Sequence, residues 1–215
     1  VATESLGFSD AAKLLKVRSE AMQESMPVGT GGMAALIGVT IEQVDEILPM
    51  LNKYGKIYIA NDNADGQVVL SGEISAIDHV CSNAREYKIK RAIKLPVSAP
   101  FHCKLMNKAT IVMSEEIAKL NFKEPENILI SNVTGKEISN SNELKNLLVK
   151  QIENRVRWRE SILLMINKGI NQFIEIGPGK VLSGLVKRVD RNVKVSAINT
   201  EEDIKLININ EQFKK

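Results

Sequence analysis

Gly32-Met33-Ala34-Ala35-Leu36-Ile37-Gly38-Val39-Thr40-Ile41 opens the stretch on which the reading of the fold turns. The apolar run 32–39 reads as a short strand, and Thr40 then caps a helix carrying Ile41, Val44, Ile47, Leu48 and Leu51. Strands follow at 56–60 and 68–70, joined by the turn-rich Asn61-Asp62-Asn63-Ala64-Asp65-Gly66. A second helix is predicted over 73–87 and a fourth strand over 91–97. The order β-α-β-β-α-β is that of the ferredoxin-like split βαβ unit. Residues 30–98 are therefore expected to form a small subdomain.

Working outward, Ser9 is the expected N-cap of a helix that runs to about residue 25 and stops before Pro27. Ala11, Leu14, Leu15 and Met22 fall on one face of it, with Arg18 in the middle of the stripe. On the other side of the small unit, 103–120 is predicted helical, with Leu105, Met106, Ala109, Met113, Ile117 and Leu120 on one stripe and His102 at its head. A β-rich run at 127–131, helices at 143–153 and 158–168, a buried strand at 173–176, a helix at 181–189 and a last strand at 193–198 complete the pattern. Strands alternating with helices imply a parallel sheet with crossover helices. The fold class is α/β: a large, incomplete parallel-sheet subdomain from 1–29 and 99–215, with the ferredoxin-like unit inserted at 30–98. Its strands are few for the helices available, so further strands are expected upstream of Val1. The opening at Val1 rather than Met fits a fragment or processed product, and the polar close at 211–215 suggests that no further domain follows.

Composition narrows the function. Of 215 residues, 44% are apolar, 26% charged and 4% aromatic, so aliphatic residues and Met must supply most of the core. A net charge of +3 is too small to argue for nucleic acid, yet leaves room for a local basic patch. The two cysteines, Cys81 and Cys103, form no disulfide framework and suit a reducing cytoplasm. With only His79 and His102 beside them, no structural metal is expected. No apolar run approaches the ~18 residues that span a bilayer, and no secretory signal opens the chain.

Two residues stand out chemically. His102, in Ser98-Ala99-Pro100-Phe101-His102-Cys103, lies where a strand leaves one unit and a helix enters another, a junction that favours clefts. A helix N-terminus would discourage its protonation, leaving a neutral imidazole able to act as a base; the alternative is a core histidine closing the helix stripe. Arg18 is a natural clamp for a substrate carboxylate, or else half of a structural ion pair with an internal Asp or Glu. Gly177-Pro178-Gly179-Lys180 lacks the full phosphate-loop spacing and reads better as a tight turn. Asn61, Asp62 and Asn63 are ligand contacts or simple turn formers, His79 a surface residue, and Trp158 a core anchor.

Taken together, these segments resemble the malonyl-CoA:acyl carrier protein transacylase family, over 1 to about 199. The resemblance rests on Val17-Arg18 with Met22-Gln23-Glu24, on Met33-Ala34-Ala35-Leu36-Ile37-Gly38, and on Ile59-Ala60-Asn61-Asp62-Asn63 followed by Gly66-Gln67-Val68-Val69-Leu70-Ser71-Gly72. Leu95-Pro96-Val97-Ser98-Ala99-Pro100-Phe101-His102 and Glu175-Ile176-Gly177-Pro178-Gly179-Lys180-Val181-Leu182 complete it. It implies an α/β-hydrolase-like parallel sheet and ping-pong transfer of malonyl from malonyl-CoA through a seryl ester to the phosphopantetheine thiol of acyl carrier protein, with no cofactor. By resemblance His102 is the base, the backbone carbonyl of Gln151 orients it, Arg18 binds the malonyl carboxylate, Asn63 and Phe101 contact substrate, and Lys90, Arg91, Lys187 and Arg188 meet the acidic carrier. A monomer that binds neither nucleic acid nor membrane is expected.

The family's Gly-His-Ser-Leu-Gly elbow is absent from this sequence. Alignment would place the serine about eight residues upstream of Val1, and the glutamine loop of the oxyanion hole is missing too. The chain is expected to be inactive alone. Ser98 and Ser183 lack an elbow context and are poor substitutes. Other readings are an acyltransferase domain of a polyketide or fatty-acid megasynthase, and a non-catalytic carrier-docking module. Retention of both Arg18 and His102 argues against docking alone. Single-strand RNA binding is weak, since the predicted strands lack an aromatic platform.

Overall fold

The computed structural model describes residues 1–206; the polar close expected at 211–215 lies outside the described residues. Helix α1 (Phe8–Glu24) is capped by Gly7, whose extended backbone turns the chain into the helix, so Ser9 lies inside the first turn instead of capping it. The helix buries Ala21 and Met22 and half-buries Leu14 and Val17, whereas Leu15 is 62% exposed and falls off the predicted stripe.

Thr40 makes the helix start that its position promises. Its hydroxyl accepts from Gln43 N while the Gln43 side chain accepts from Thr40 N, a reciprocal capping box. Strand β1 (Gly31–Ile37) precedes this cap, and helix α2 (Ile41–Leu51), β2 (Ile57–Ala64), β3 (Gln67–Glu73), α3 (Ile74–Ser82) and β4 (Arg91–Lys94) follow. The predicted helix over 73–87 is thus split, its second half a 3₁₀ turn at Ala84–Tyr87. The strands form one antiparallel sheet in the order β2-β3-β1-β4. Asn61, Asp62 and Asn63 belong to β2 rather than to a loop. The hairpin turn is only Asp65-Gly66, with Gly66 at a φ of 80° that glycine adopts without strain. Two bulges in β2 leave Ala60 and Asn63 without partners in the register, which breaks the period-2 alternation a strand shows in sequence.

Both faces of this sheet are covered, which is why 33–37 is apolar without alternation. Ala34, Leu36, Val68 and Leu70 pack with Val44 and Leu51 of α2 and Ile77 and Val80 of α3. Met33, Ala35, Ala60 and Val69 face the other way, against Leu95, Val97 and Phe101. Each fully buried aliphatic side chain contributes roughly 1.5–3 kcal/mol relative to exposure. A separate cluster joins Met22 of α1 to Ala99, Met106, Met113 and Ile117, and to Leu144 and Ile152. It is built by α1, α4 (Asn107–Ala118) and α5 (Ser141–Lys150), with a 3₁₀ turn at Lys104–Met106 ahead of α4.

The chain divides into two compact units, Val1–Ser161 and a second that starts at Ile162, the boundary falling inside α6 (Trp158–Asn167). The second unit holds β5 (Gln172–Ile176), α7 (Val181–Val189), β6 (Lys194–Ile198) and α8 (Glu201–Leu206), with β5 and β6 paired in parallel. Strand β5 was expected to be buried; it is half-exposed, with Ile176 at 81%, because among the described residues its only ladder partner is β6. The β-rich run at 127–131 forms a single bridge, Ile130 to Glu137, as Gly135 at φ 64° turns the chain back before a strand can extend.

Candidate active site

His102 is held in the left-handed region, at φ 59°, a conformation few non-glycine residues adopt. Pro100 wedges against Gly31, where a Cβ would stand 2.5 Å from the proline ring, and so ties the Pro100-Phe101-His102 corner to the first strand of the sheet. The ring nitrogen Nδ1 lies 2.9 Å from the backbone oxygen of Gln151. A carbonyl only accepts, so Nδ1 carries the hydrogen and Nε2 presents a lone pair. Burial pushes the imidazole below its ordinary pKa; the Gln151 carbonyl opposes this and the Arg18 charge reinforces it. The N-terminal helix dipole invoked from sequence is not the leading cause. The contact is in fact with the C-cap of α5, where a helix favours positive charge. His102 is therefore neutral at rest, with a carbonyl placed to stabilise it once it takes a proton.

Arg18 comes from α1, whose Ala21 and Met22 belong to the same cluster, and its charge acts on His102. Ser25, the C-cap of α1, donates to Ala21 O at 2.8 Å and accepts from Ala109 N at 3.2 Å. This buried hydroxyl satisfies one orphan N–H of α4 and joins the helix carrying Arg18 to the helix that follows His102. Arg18 is half-buried, and burial pushes its guanidinium below the ordinary value. Among the described residues it makes no ion pair or hydrogen bond, so the structural-pair alternative has no partner here. Nearby, Ser98 donates to Gln23 Oε1 at 2.6 Å, which commits that hydroxyl to α1.

The remaining predicted residues divide. Phe101 packs between the back of the sheet and the α1–α4–α5 cluster. Asn63 is buried at the second bulge of β2 and makes no hydrogen bond to His102 or Arg18. Its neighbour Asp62 instead receives a forked Arg159, at 2.9–3.1 Å, and Asn61 bridges Val156 in parallel. Cys103 is a poor nucleophile: it is buried, donates to Pro100 O at 3.1 Å, and burial pushes its thiol up. Lys90 and Arg91 are exposed and line a groove of about 710 Å³ along the β4 edge with Arg85 and Lys94, the last paired to Asp78. In the second unit Arg188 is exposed, while Lys187 caps its own loop through Arg191 O and Val193 O. The 177–180 turn offers no phosphate cradle. The Glu175 carboxylate already accepts from Leu182 N and Ser183 N at the start of α7. His79 is no bare surface residue: it stacks on Tyr54 and bonds Tyr87 and Asn83. Ser25 had no signal in sequence, since its partners exist only once the two helices pack.

Comparison with known proteins completes the picture. The family model described as acyl transferase domain matches residues 1–206. This chain belongs to the acyl transferase domain family. The malonyl CoA-acyl carrier protein transacylase of Bacillus subtilis (strain 168) is 39% identical over 207 residues, 96% of this chain and 65% of that protein. The crystal structure of the malonyl CoA-acyl carrier protein transacylase from Clostridium perfringens ATCC 13124 superposes with a TM-score of 0.92 at 38% identity, covering 98% of this chain and 67% of that one. A malonyl-transacylase solved in complex with a type II PKS acyl-carrier protein gives 0.91 at 32%, covering 97% and 67%. The chain thus spans about two thirds of the length of these relatives. No described helix is long and apolar enough to cross a membrane, and no group of three or more His, Cys, Asp or Glu among the described residues could hold a metal ion.

Proposed function

We propose that this chain carries the base and the carboxylate clamp of a malonyl-CoA:acyl carrier protein transacylase, completed by a serine outside its 215 residues. The observation that carries the reading is His102, fixed with Nδ1–H on the Gln151 carbonyl and Nε2 left as the acceptor, under the influence of an Arg18 that has no ion pair among the described residues. In this scheme Nε2 takes the proton of the serine hydroxyl as its oxygen attacks the malonyl thioester carbon. The C–S bond breaks, and the imidazolium returns the proton to the departing CoA thiolate. The carrier's phosphopantetheine thiol then gives its proton to Nε2 and attacks the ester, and the serine recovers its hydrogen. Gln151 stands where a triad carboxylate would, stabilising the imidazolium through its backbone oxygen. Arg18 binds the free carboxylate, and Phe101 limits branching at the acyl group.

In the same reading 30–98 is a ferredoxin-like subdomain, supported by its 4-1-3-2 strand order, inserted into an α/β-hydrolase-like one from 1–29 and 99–215. Lys90 and Arg91 of the first unit would contact the acidic carrier, and so would Arg188 of the second; Asn63 would reach substrate from its bulge. Lys187 would do so only by giving up its carbonyl contacts. The chain would work as a cytoplasmic monomer without cofactor. The test is complementation: the chain, expressed with a segment bearing the Gly-His-Ser-Leu-Gly elbow, is given labelled malonyl-CoA and holo-carrier. Label on the carrier is expected, with none from the chain alone. A folded, complemented protein that transfers nothing would remove the assignment.

A further inference from the structure

His102 and Gln151 lie 49 positions apart, so the bond between them depends on how two chain segments are clamped together. One is the turn that leaves His102, through the 3₁₀ segment Lys104–Met106 into α4. The other is the frayed end of α5, where successive bonds from Gln151 N, Ile152 N and Glu153 N to Leu147 O, Val149 O and Lys150 O present the Gln151 carbonyl. Met106 and Ile152 belong to one apolar cluster that keeps the two segments near each other, but apolar packing is not directional.

Glu153 supplies direction. Its carboxylate leaves the α5 end and crosses to the His102 side, where Oε1 accepts from Asn107 Nδ2 at 3.0 Å and Oε2 lies 3.5 Å from Lys104 Nζ. The Glu153 side chain is only 10% exposed, whereas its partners Lys104 and Asn107 are exposed, so the carboxylate is the shielded half of these charge-assisted contacts. Burial works against the charge, yet the Thr110 hydroxyl, the Asn107 amide and the Lys104 ammonium outweigh it and hold the carboxyl below its ordinary range. Glu153 stays ionised, two residues from the carbonyl that aims His102, and grips residues two and five beyond that histidine.

We propose that Glu153 is a positioning residue, which fixes the Nδ1–H tautomer of His102 by locking the α5 terminus onto the turn that follows the histidine. The inference rests on the reading of His102 as the base, but its test does not need acyl transfer. The chain has only two histidines, and they hold opposite tautomers. In His79, Asn83 Nδ2 donates both to Nδ1 and to the His79 carbonyl, so the ring hydrogen is on Nε2 and faces Tyr87. Imidazole ¹⁵N–¹H correlation spectra of the chain therefore contain one signal set of each kind, and His79 is an internal control of folding. Glu153→Ala is expected to turn His102 from one tautomer into an exchanging mixture and to leave His79 unchanged. Glu153→Gln, which keeps the acceptor for Asn107, should recover most of the native pattern. An Ala variant whose His102 signals match the parent overturns the proposal. If that variant unfolds, with His79 collapsing too, Asn107→Ala decides in its place: Asn107 is exposed, and an unmoved His102 there is equally fatal. Loss of malonyl transfer in the complementation assay would sink the functional reading while leaving this result standing.

Discussion

Replacing Arg18 with Met separates a clamp from a strut. Met keeps much of the aliphatic stem and removes the charge. Were Arg18 half of a buried ion pair, its removal would cost about 3–5 kcal/mol, because a desolvated carboxylate would be left behind. No such carboxylate faces it among the described residues, and burial already disfavours the guanidinium. The stability of Arg18→Met should therefore fall within about 1 kcal/mol of the parent, in either direction. Activity should respond differently. Hydrogen bonds to a charged group contribute about 1.5–3 kcal/mol each, and a forked guanidinium makes two to a carboxylate. The loss of about 3–6 kcal/mol corresponds to a fall of about 10²–10⁴-fold in kcat/KM for malonyl-CoA. Acetyl-CoA has no free carboxylate and should lose much less. The measurements are urea unfolding of the chain and labelled malonyl and acetyl transfer by the complemented enzyme. A drop of 3 kcal/mol or more in stability, or equal losses for both acyl groups, would show Arg18 to be structural.

Because burial lowers the His102 pKa, its imidazole is unprotonated across neutral pH, and if it is the base proposed above, the acid limb of kcat/KM should fall below the ordinary value of about 6.5. The same depressed pKa means that the unfolded chain binds this proton first, so stability is full above about 6.5 and declines as pH falls through the folded value; a limb at 7 or above would contradict the burial argument. Arg159→Ala strands Asp62, whose side chain is 2% exposed, and should cost about 3–5 kcal/mol in urea unfolding. Adding Asp62→Asn should recover part of that loss, and a strictly additive double variant would deny the pair. Lys90→Glu with Arg91→Glu should raise KM for holo-carrier and leave malonyl-CoA hydrolysis alone; unchanged carrier kinetics would clear this edge of a docking role.

Legibility varied with how local each cause was. Thr40 announced a helix start because a cap depends only on its immediate neighbours, and the structure adds Gln43 as the other half of a capping box. The apolar run at 33–37 read as a strand because both its faces are covered. The 61–66 stretch misled, since turn-forming residues here fill a bulged strand, where tertiary pairing with Val156 outweighs local preference. Ser9 misled for a related reason: a good capping residue loses its role when the backbone turns two residues earlier.

The local code, read as sequence alone, determined most of the order of helices and strands, though not the single bridge at 127–131 or helix α8, and singled out two residues out of place: a cation on an apolar stripe and an imidazole at a junction. It could not determine their chemistry, because a tautomer, an unpaired charge and a lowered pKa are set by distant chain brought into contact. Gln151 reaches His102 across 49 positions, and Ser25 reaches Ala109 across 84. Such contacts leave no periodicity or motif behind. They exist only once apolar burial has packed α1, α4 and α5 into one cluster, leaving buried polar groups to pair with whatever the packing brings within reach.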